Sequence, residues 1–543
     1  MKIITLILAA DNNSLNSTYS SQMLSVRGKP ALAWVIEEFY FKDDVFVVLN
    51  KSNVQTQRYL TQRYPNIHQI LVDNEEVAKK YGSHSILTSL ASGLENLPED
   101  TVNLRLVLGD TLCRGYDKRE KDFVIVSDDF LSSERWCLVD KNKEGNVRHF
   151  YNKQENLNIT DKYALTGLYQ FTNVSLLKKL NLEVIQVGKM QISDVLSCYN
   201  KRIPLKIVKT SVWFDFGHKV GIIKAQNHFF NSRDFNSLCA DPVAGTITKV
   251  SSKQQKLANE YAWYKNLPTK LQILSPRVVK FKENIDNAVL TMEMYGYPAL
   301  SELFILGNLN IEEWELIIKR LFQVHQLLEE YTTEMDQENF YDLYLHKTRQ
   351  RLNELHEQNP YWKKLWQYET IILNGKTYKN IRFFETKLNE AIERLVQSVK
   401  PTVMHGDFCF SNILFDTNSF LCKLIDPRGQ MREQTIYGDP RYDIAKLRHS
   451  VVGGYDYAVH GLSSLSEKKN NFVVSNCYPP FQDRLTVYFD EMTVHFGYKL
   501  EEIKLIEALL FASLIPLHKD SMERQKLFYL KAVRKINELF ERE

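Results

Sequence analysis

Apolar residues follow one pattern up to about residue 235. Short runs that are apolar throughout, at 45–49 and 104–108, alternate with stretches of helical periodicity such as 55–62. Strands that are apolar on both faces and separated by helices are typical of a mostly parallel sheet covered by helices. The pattern therefore predicts an α/β domain with a mostly parallel sheet over residues 1–235.

A different pattern begins after residue 235. Residues 246–250 and 289–294 alternate as strands do, and 257–264 has the periodicity of an amphipathic helix. The second strand runs into Tyr-Gly-Tyr-Pro at 295–298, a turn-forming sequence that ends it. The pattern predicts a small α+β lobe over residues 236–298.

The rest of the chain, 299–543, is predicted as a mostly helical lobe. Residues 310–400 have helical periodicity, and the mixture of basic and acidic residues over 519–543 favours a solvent-exposed helix. Three tryptophans fall among the apolar positions: Trp314, Trp362 and Trp366. They favour a helical core over an aromatic cage for a cationic ligand.

Composition limits the class of protein. The 543 residues are enough for two to four domains, and 44% apolar with 25% charged residues is ordinary for a globular protein. A net charge of +3 is too small to favour nucleic acid as a partner. The seven cysteines are scattered without CxxC spacing, which predicts reduced thiols, no zinc site and a cytoplasmic location.

The first ten residues superficially resemble a signal peptide. Their apolar stretch is short, one lysine precedes it, and Asp11 follows it directly. A buried strand fits this segment better. No apolar run approaches the ~20 residues that a membrane-spanning helix needs, so no membrane insertion is expected.

The segment 403–426 has spacings suited to phosphoryl transfer. Asp407 precedes Asn412 by five residues, and Asp426 follows Asn412 by fourteen at the end of an apolar run. In a kinase catalytic loop such an Asp orients and deprotonates the substrate hydroxyl, while the Asn and the later Asp hold Mg²⁺. An ordinary loop with Asx turns is the alternative, and the full spacing disfavours it.

The sequences HGDFCFSNIL at 405–414 and LIDPRG at 424–429 resemble the aminoglycoside phosphotransferase and choline kinase family. The resemblance implies a bilobal protein-kinase-like fold that binds ATP and Mg²⁺. It implies that Lys249 binds the nucleotide phosphates and that Glu260, eleven residues later, fixes Lys249 by an ion pair.

The same resemblance implies a hinge beside the nucleotide, formed by Met292, Glu293 and Met294. It also indicates a supporting role for Asp443 beneath the catalytic loop. The glycine-rich phosphate loop of the family is represented only by Ala-Gly-Thr at 244–246.

Six segments of the first domain resemble the sugar-phosphate nucleotidyltransferases in their order. They are ILAA at 7–10, VRGKPALAWVI at 26–36, VLGD at 107–110, YNK at 151–153, ALTGLYQF at 164–171 and WFDFG at 213–217. The resemblance implies that Asp110 and Asp215 hold Mg²⁺, while Lys29 and Lys153 neutralise the reacting phosphates. Gly82 would let the backbone approach the base or sugar.

One segment departs from that family. Its loop after the first strand is rich in glycine and carries an arginine, whereas residues 11–19 here contain neither. The departure leaves two hypotheses for the first domain, a catalyst and an inactive module that binds a nucleotide or sugar phosphate.

The leading hypothesis is a bifunctional enzyme. The kinase phosphorylates a sugar, polyol or amino alcohol with ATP. The first domain then couples the product to a nucleotide from a second nucleoside triphosphate, with CTP favoured over UTP or dTTP by analogy with phosphocholine activation. The resemblances imply a precursor for surface polysaccharide such as capsule or lipopolysaccharide. A protein or antibiotic kinase is a third hypothesis, which the extra domain disfavours, and the oligomeric state is left open.

Overall fold

The computed structural model describes residues 3–10, 19–117, 119–130, 132–229 and 236–541. The chain divides into two compact units. The first is Met1–Phe229 with Leu306–Asn308, and the second is Phe230–Ile305 with Leu309–Glu543.

The first unit alternates strands and helices in its N-terminal half and is richer in strands after residue 103. Its strands are β1 (Ile4–Ala9), β2 (Ser25–Val26), β3 (Lys29–Pro30), β4 (Asp44–Asn50), β5 (His68–Val72), β6 (Leu104–Leu108), β7 (Thr111–Arg114), β8 (Phe123–Ser127), β9 (Cys137–Lys141), β10 (Val147–Asn152), β11 (Tyr163–Phe171), β12 (Lys206–Lys209) and β13 (Val212–Asp215). Its helices are α1 (Ala31–Glu37), α2 (Val54–Arg63), α3 (Asn74–Tyr81), α4 (Ile86–Glu95), α5 (Val174–Gln186), α6 (Ile192–Asn200) and α7 (Lys219–His228). The strands predicted at 45–49 and 104–108 and the helix at 55–62 are confirmed.

The main sheet of this unit is mixed, so the prediction of a mostly parallel sheet is wrong. Its order is β10-β9-β11-β6-β1-β4-β5, with β8 beside β11 and β12 beside β8. Strands β6, β1, β4 and β5 run parallel, whereas β11 is antiparallel to β6, β8 and β9. In the described part of 104–171 no helix separates the strands. Parallel neighbours need a long crossover, which this region lacks, and antiparallel neighbours do not.

The second unit begins with a small lobe and continues into a helical one. Its strands are β14 (Asn236–Asp241), β15 (Thr246–Ser251), β16 (Val278–Glu283), β17 (Ala288–Glu293), β18 (Thr370–Leu373), β19 (Lys376–Lys379), β20 (Thr402–Val403), β21 (Ile413–Asp416), β22 (Leu421–Leu424), β23 (Tyr437–Gly438), β24 (Ser463–Lys468) and β25 (Asn471–Asn476). Its helices are α8 (Gln254–Asn266), α9 (Leu300–Leu306), α10 (Ile311–Glu329), α11 (Glu338–Tyr341), α12 (Lys347–Gln358), α13 (Pro360–Gln367), α14 (Glu385–Gln397), α15 (Pro440–Val451), α16 (Tyr455–Val459), α17 (Gln482–His495), α18 (Leu500–Leu514) and α19 (Met522–Phe540). A π-helical turn, Asp342–His346, joins α11 to α12.

The small lobe is an antiparallel sheet in the order β14-β15-β17-β16. Helix α8 packs against β16 and β17, where Tyr261 stacks on Phe281 with ring centroids 4.3 Å apart. The predicted strands and helix of this lobe are confirmed. This packing fixes α8 relative to β15, so that side chains of the two elements can form a pair.

A β-hairpin interrupts the region predicted as helical over 310–400. Strands β18 and β19 pair around Asn374 and Gly375, whose φ angles are 50° and 80°. Asn-Gly is the residue pair that favours a two-residue hairpin turn, because both residues tolerate positive φ. The hairpin joins β25 and β24 in a second sheet.

The helix predicted as solvent-exposed over 519–543 is mostly buried, which corrects the expectation. In α19, Phe528 and Val533 are inaccessible to solvent and pack in a core with Ile371 and Phe511. The basic residues of α19 were a poor guide to solvent exposure, because two of them have partners inside the protein. Lys531 Nζ donates to the carbonyl oxygen of Gly453 at 2.7 Å, and Lys535 forms an ion pair at 2.8 Å with Glu507.

Of the three tryptophans predicted as core, Trp314 and Trp362 are buried, and Trp366 is partly buried against the same core as Trp362. Trp314 and Trp362 are each 2% exposed, and Trp314 stacks on Phe410. None of the helices in the described part of the chain is both long and apolar enough to cross a membrane.

Candidate active site

The loop between β20 and β21 is held from below by helix α15. The buried Asp443 carboxylate accepts the backbone N–H of His405 at 2.6 Å and that of Gly406 at 2.8 Å. The His405 ring is inaccessible to solvent, and burial lowers its pKa. The neutral ring accepts the Asp407 N–H on Nδ1 at 3.3 Å. The support predicted for Asp443 is confirmed.

Gly406 gives this loop its tight turn. Its φ is +79°, and a β-carbon there would lie 2.6 Å from the β-carbon of Arg428. Only glycine combines the left-handed conformation with so close a neighbour. The turn thereby brings Arg428 against the start of the loop. The backbone N–H of Arg428 donates there to the His405 carbonyl oxygen at 2.9 Å.

Asp407 is paired with a lysine that the sequence did not indicate as functional. Its Oδ1 lies 2.8 Å from Nζ of Lys446 on α15, and its side chain is 42% exposed. Burial acts to raise the pKa of Asp407, but the Lys446 charge outweighs it and lowers the pKa to about 2. Asp407 is therefore an oriented carboxylate that is ionised at neutral pH.

Asn412 and Asp426 lie at the same end of the β21–β22 hairpin. The Ile425 N–H donates to the Asn412 carbonyl oxygen at 3.0 Å, which ties together the residues next to each strand end. Asn412 Nδ2 donates to the Asp407 carbonyl oxygen at 3.0 Å, so the amide orientation is fixed. Asp426 is half exposed and has a positive φ of 56°.

Lys249 on β15 bridges two carboxylates. Its Nζ lies 2.7 Å from Oε2 of Glu260 on α8 and 2.8 Å from Oδ1 of Asp426. Burial would lower the pKa of Lys249, but Asp426 and Glu260 raise it. Burial and the Asp426 charge raise the pKa of Glu260 to about 7. The pairing predicted between Lys249 and Glu260 is present, and Lys249 also connects the two lobes.

The residues predicted as a hinge form the end of β17. Met292 is buried, the Glu293 N–H donates to the Arg277 carbonyl oxygen, and the Met294 N–H donates to the Gly245 carbonyl oxygen, both at 2.9 Å. These two N–H groups are therefore used by the lobe itself. A nucleotide-binding role for Met292, Glu293 and Met294 stays a prediction.

The turn between β14 and β15 overlaps the Ala-Gly-Thr sequence at 244–246, the position expected for the family's glycine-rich loop. The N–H groups of Val243 and Ala244 donate to Oδ1 of Asp241 at 3.0 and 2.9 Å, and Gly245 has a φ of +65°. Asp241 thus stabilises a compact hairpin turn. Phosphate binding by this turn stays a prediction.

The donor set at the hairpin end fits Mg²⁺. The Asn412 amide oxygen and the Asp426 carboxylate are hard oxygen ligands of the kind that Mg²⁺ prefers, and Asp426 is accessible for coordination. Mg²⁺ ordinarily keeps waters and substrate phosphate oxygens among its six ligands, so two protein ligands are sufficient.

In the first unit, Asp110 and Asp215 lie together. Strands β7 and β13 pair so that Thr111 is opposite Asp215. A β-carbon built on Gly217 would lie 2.7 Å from Oδ2 of Asp110 and 3.1 Å from Oδ1 of Asp215. Burial raises the pKa of Asp215, and His218 Nδ1 lies 2.6 Å from its Oδ2. The two carboxylates predicted to share Mg²⁺ are thus neighbours.

The other residues predicted for this unit have different surroundings. Lys29 forms an ion pair with Glu37 at 2.5 Å and lies over the Trp34 ring. Lys153 is exposed with a φ of 44°. Gly82 ends α3 with a left-handed φ of 79°, a common way for a helix to terminate. The roles of Lys29, Lys153 and Gly82 stay predictions, and loop residues 11–18 lie outside the described residues.

The comparisons with known proteins concern the second unit. Residues 249–456 match the phosphotransferase enzyme family APH. The second unit therefore contains a region that matches this phosphotransferase family, in agreement with the resemblance of its motifs. The match begins at Lys249 and includes the whole loop between β20 and β21, together with Asp426 and Asp443. None of the curated proteins compared with the chain matches it.

Solved structures with a detectable likeness are remote. Aminoglycoside phosphotransferase APH(4)-Ia is 10% identical with a TM-score of 0.34, and the likeness covers 59% of this chain and 99% of that one. An aminoglycoside-3'-phosphotransferase of type VIII is 13% identical with a TM-score of 0.29, over 56% of this chain and 91% of that one. These TM-scores are too low to support a statement about fold or function, so the assignment depends on the family match.

Proposed function

We propose that the second unit is an Mg²⁺-dependent kinase that transfers the γ-phosphoryl group of ATP to a hydroxyl group of a small molecule, a sugar or another alcohol. The observation that carries the proposal is the contact of Lys249 with both Glu260 and Asp426, beside a loop that holds Asp407 and Asn412. Phosphoryl transfer needs this set of a phosphate-binding cation, metal ligands and an oriented carboxylate.

In this proposal each residue has one task. Lys249 binds phosphate oxygens of ATP, and Asn412 and Asp426 hold Mg²⁺, which neutralises negative charge on the phosphates when bound. Asp407 accepts a hydrogen bond from the acceptor hydroxyl and aims its oxygen at the γ-phosphorus. An oxygen–phosphorus bond to the acceptor forms, the bond to the ADP oxygen breaks, and the hydroxyl proton passes to Asp407.

The low pKa of Asp407 suggests when the proton moves. A carboxylate with a pKa of about 2 is a weak base toward a free alcohol. The alcohol becomes acidic only as its oxygen bonds to phosphorus. Asp407 therefore orients the hydroxyl first and receives its proton late in the transfer.

Replacement of Asp407 by alanine tests the kinase proposal. We expect Asp407→Ala to lower kcat by roughly 10²–10⁴-fold, because the oriented base is lost, while Mg-ATP still binds. The measurement is phosphoryl transfer to a pool of hydroxyl compounds by mass spectrometry, with ATP affinity from calorimetry. Asp286→Ala changes an exposed aspartate of the same unit and is the matched control. Full activity in Asp407→Ala would contradict the role of Asp407.

We further propose that the first unit couples the phosphorylated product to a nucleotide and releases pyrophosphate. The closeness of Asp110 and Asp215 around Gly217 supports this second function, since two neighbouring carboxylates suit a metal ion that binds triphosphate. CTP is the proposed nucleotide, with UTP and dTTP as alternatives, and the product would serve surface polysaccharide synthesis. The alternative is a unit that only binds a nucleotide or sugar phosphate.

A further inference from the structure

A group of positive side chains surrounds Tyr442 in the second unit. Lys347 Nζ lies 3.5 Å from the Tyr442 hydroxyl, and the Arg428 guanidinium lies 5.8 Å from the centre of its ring. Arg351, one helical turn beyond Lys347 on α12, donates to the Ser513 carbonyl oxygen at 2.9 Å. We call Lys347, Arg351 and Arg428 the cation cluster.

No member of the cation cluster forms an ion pair with a carboxylate that the structure describes, although the charge of Glu354 acts on Arg351. The two arginines and the lysine of the neighbouring helix α15 differ, since each is matched by carboxylates: Arg441 by Asp439 and Glu502, Lys446 by Asp407, and Arg448 by Asp490 and Glu507. In addition, Nη1 of Arg428 is buried without a hydrogen-bond partner. A buried donor of this kind is costly unless something binds it.

Burial and the neighbouring positive charges together shift the pKa values of Lys347 and Tyr442. Burial lowers the pKa of Lys347 to about 8, helped by the charges of Arg428 and Arg351. Burial would raise the pKa of Tyr442, but Lys347, Lys446 and Arg428 lower it to about 8. An anion placed among these groups would relieve their mutual repulsion.

One member of the cation cluster, Lys347, lines a small cavity, and another, Arg428, lies beside the catalytic loop. The cavity is lined by Lys347, Tyr442 and Ser513 together with apolar side chains such as Leu509 and Leu510. Arg428 lies against Gly406, the residue before Asp407, and the charge of Lys446, which pairs with Asp407, also acts on Tyr442. A π-helical turn ends just before Lys347, and such turns frequently occur at functional sites.

We propose that the cation cluster is the acceptor subsite of the kinase and binds a carboxylate or phosphate group that the acceptor carries in addition to its reacting hydroxyl. This inference rests on the proposed kinase function and narrows its substrate class to anionic alcohols, such as hydroxy acids or sugar phosphates. The forked guanidinium groups of arginine suit the paired oxygens of such groups. A cationic amino alcohol would be repelled by the same side chains.

Binding of inorganic phosphate tests the subsite without any turnover. Calorimetry on the full chain at low ionic strength should detect phosphate binding that Lys347→Met weakens by about 10- to 100-fold, the loss expected for one charged hydrogen bond. Arg351→Met gives a second variant should Lys347→Met fail to fold. Lys319→Met removes an exposed lysine of α10 and should leave the affinity unchanged. Equal affinity in the wild type and both cluster variants, or no binding to the wild type, would overturn the proposal.

A panel of matched acceptors separates this inference from the proposed function. It contains neutral polyols, amino alcohols, and hydroxy acids or sugar phosphates, each offered with Mg-ATP. We expect only the anionic compounds to be phosphorylated, with a KM that rises about 10- to 100-fold in Lys347→Met and a nearly constant kcat. Phosphorylation of neutral or cationic compounds instead would overturn the anionic subsite and leave the kinase standing. Phosphate binding at the cluster without phosphorylation of any acceptor would leave the subsite standing and contradict the kinase.

Discussion

The glycine of the HGD motif, Gly406, is required by a packing contact. The sequence predicted Asp407, Asn412 and Asp426 from their spacing, because these residues must be set apart along the chain to meet at one metal ion. The reason for Gly406 is a contact with Arg428, which is 22 residues away in the chain. Contacts of this kind depend on the fold and have no local pattern.

We predict that Gly406→Ala destabilises the second unit more than Gly375→Ala does. Both glycines have φ near +80°, so both substitutions carry the penalty of roughly 1–2 kcal/mol for a left-handed residue. A β-carbon at Gly375 meets open space, whereas one at Gly406 would overlap Arg428. Urea unfolding of both variants measures the difference. Equal unfolding free energies would contradict the close contact.

Lys446 and Lys347 were missed by the sequence interpretation for different reasons. Lys446 follows Asp443 by three residues on a helix, a spacing that puts both on the face toward the catalytic loop, so a signal existed. Lys347 follows a π-helical turn, which changes the phase of the helix from the periodicity that the sequence alone suggests. Its place beside Tyr442 therefore follows only from the three-dimensional structure.

At the scale of elements, helix α10 and helix α15 meet through a buried histidine. His325 on α10 is 1% exposed, with Nδ1 2.8 Å from Glu329 and Nε2 3.7 Å from Asp443. Burial would lower the pKa of His325, but Asp443 and Glu329 raise it to about 9. The charged ring thus stabilises the carboxylate that supports the catalytic loop.

We predict that the stabilisation from His325 is lost in alkaline solution. Because its pKa rises from 6.5 to about 9 on folding, its contribution of at most about 3 kcal/mol is complete below pH 6.5 and disappears as pH rises through 9. The unfolding free energies of wild type and His325→Gln should therefore converge between pH 6 and pH 9.5. Urea unfolding measures them, and His495→Gln, at an exposed position, is the control. A gap that does not change with pH would contradict a charged His325.

The sequence predicted regular elements where a local pattern decides them. Strands β15 and β17 and helix α8 follow from alternation and helical periodicity. The β18–β19 hairpin lies inside a region predicted as helical, and its Asn-Gly pair at 374–375 is the local signal that could have revealed it. The mixed sheet of the first unit escaped prediction because strand direction depends on connections and pairing over long distances.

At the scale of the whole molecule, the chain combines two units with separate sets of acidic residues. Asp407 and Asp426 of the second unit lie within the region that matches a phosphotransferase family. The proposed role of Asp110 and Asp215 in the first unit is supported by their closeness around Gly217 and by the resemblance of their motifs. Two activities in one chain would raise the local concentration of the shared intermediate. Variants of each set in the full chain can separate the two activities.

We predict that Asp110→Asn stops nucleotide coupling and leaves phosphorylation intact. Loss of a metal-binding carboxylate should lower the coupling rate at least about 100-fold, since such a metal contributes several kcal/mol to the transition state. Mass spectrometry with ATP, CTP, UTP, dTTP and the acceptor panel follows both products. Asp128→Asn changes an exposed aspartate of the same unit and should retain both activities. Unchanged coupling in Asp110→Asn would contradict its role, and absence of coupling in the wild type would favour the binding module.

The burial of helix α19 has a consequence for biosynthesis. The core around Ile371 and Phe384 is completed by Phe528 and Val533, so this core cannot close before helix α19 has left the ribosome. The first unit, apart from Leu306–Asn308, is complete at residue 229. At about 5–20 residues per second, the interval between the two lasts roughly 15–60 s. Once Ile371 and Phe384 have been made, the nascent chain exposes an unfinished apolar core until α19 joins it, and chaperones can bind such a surface in that period.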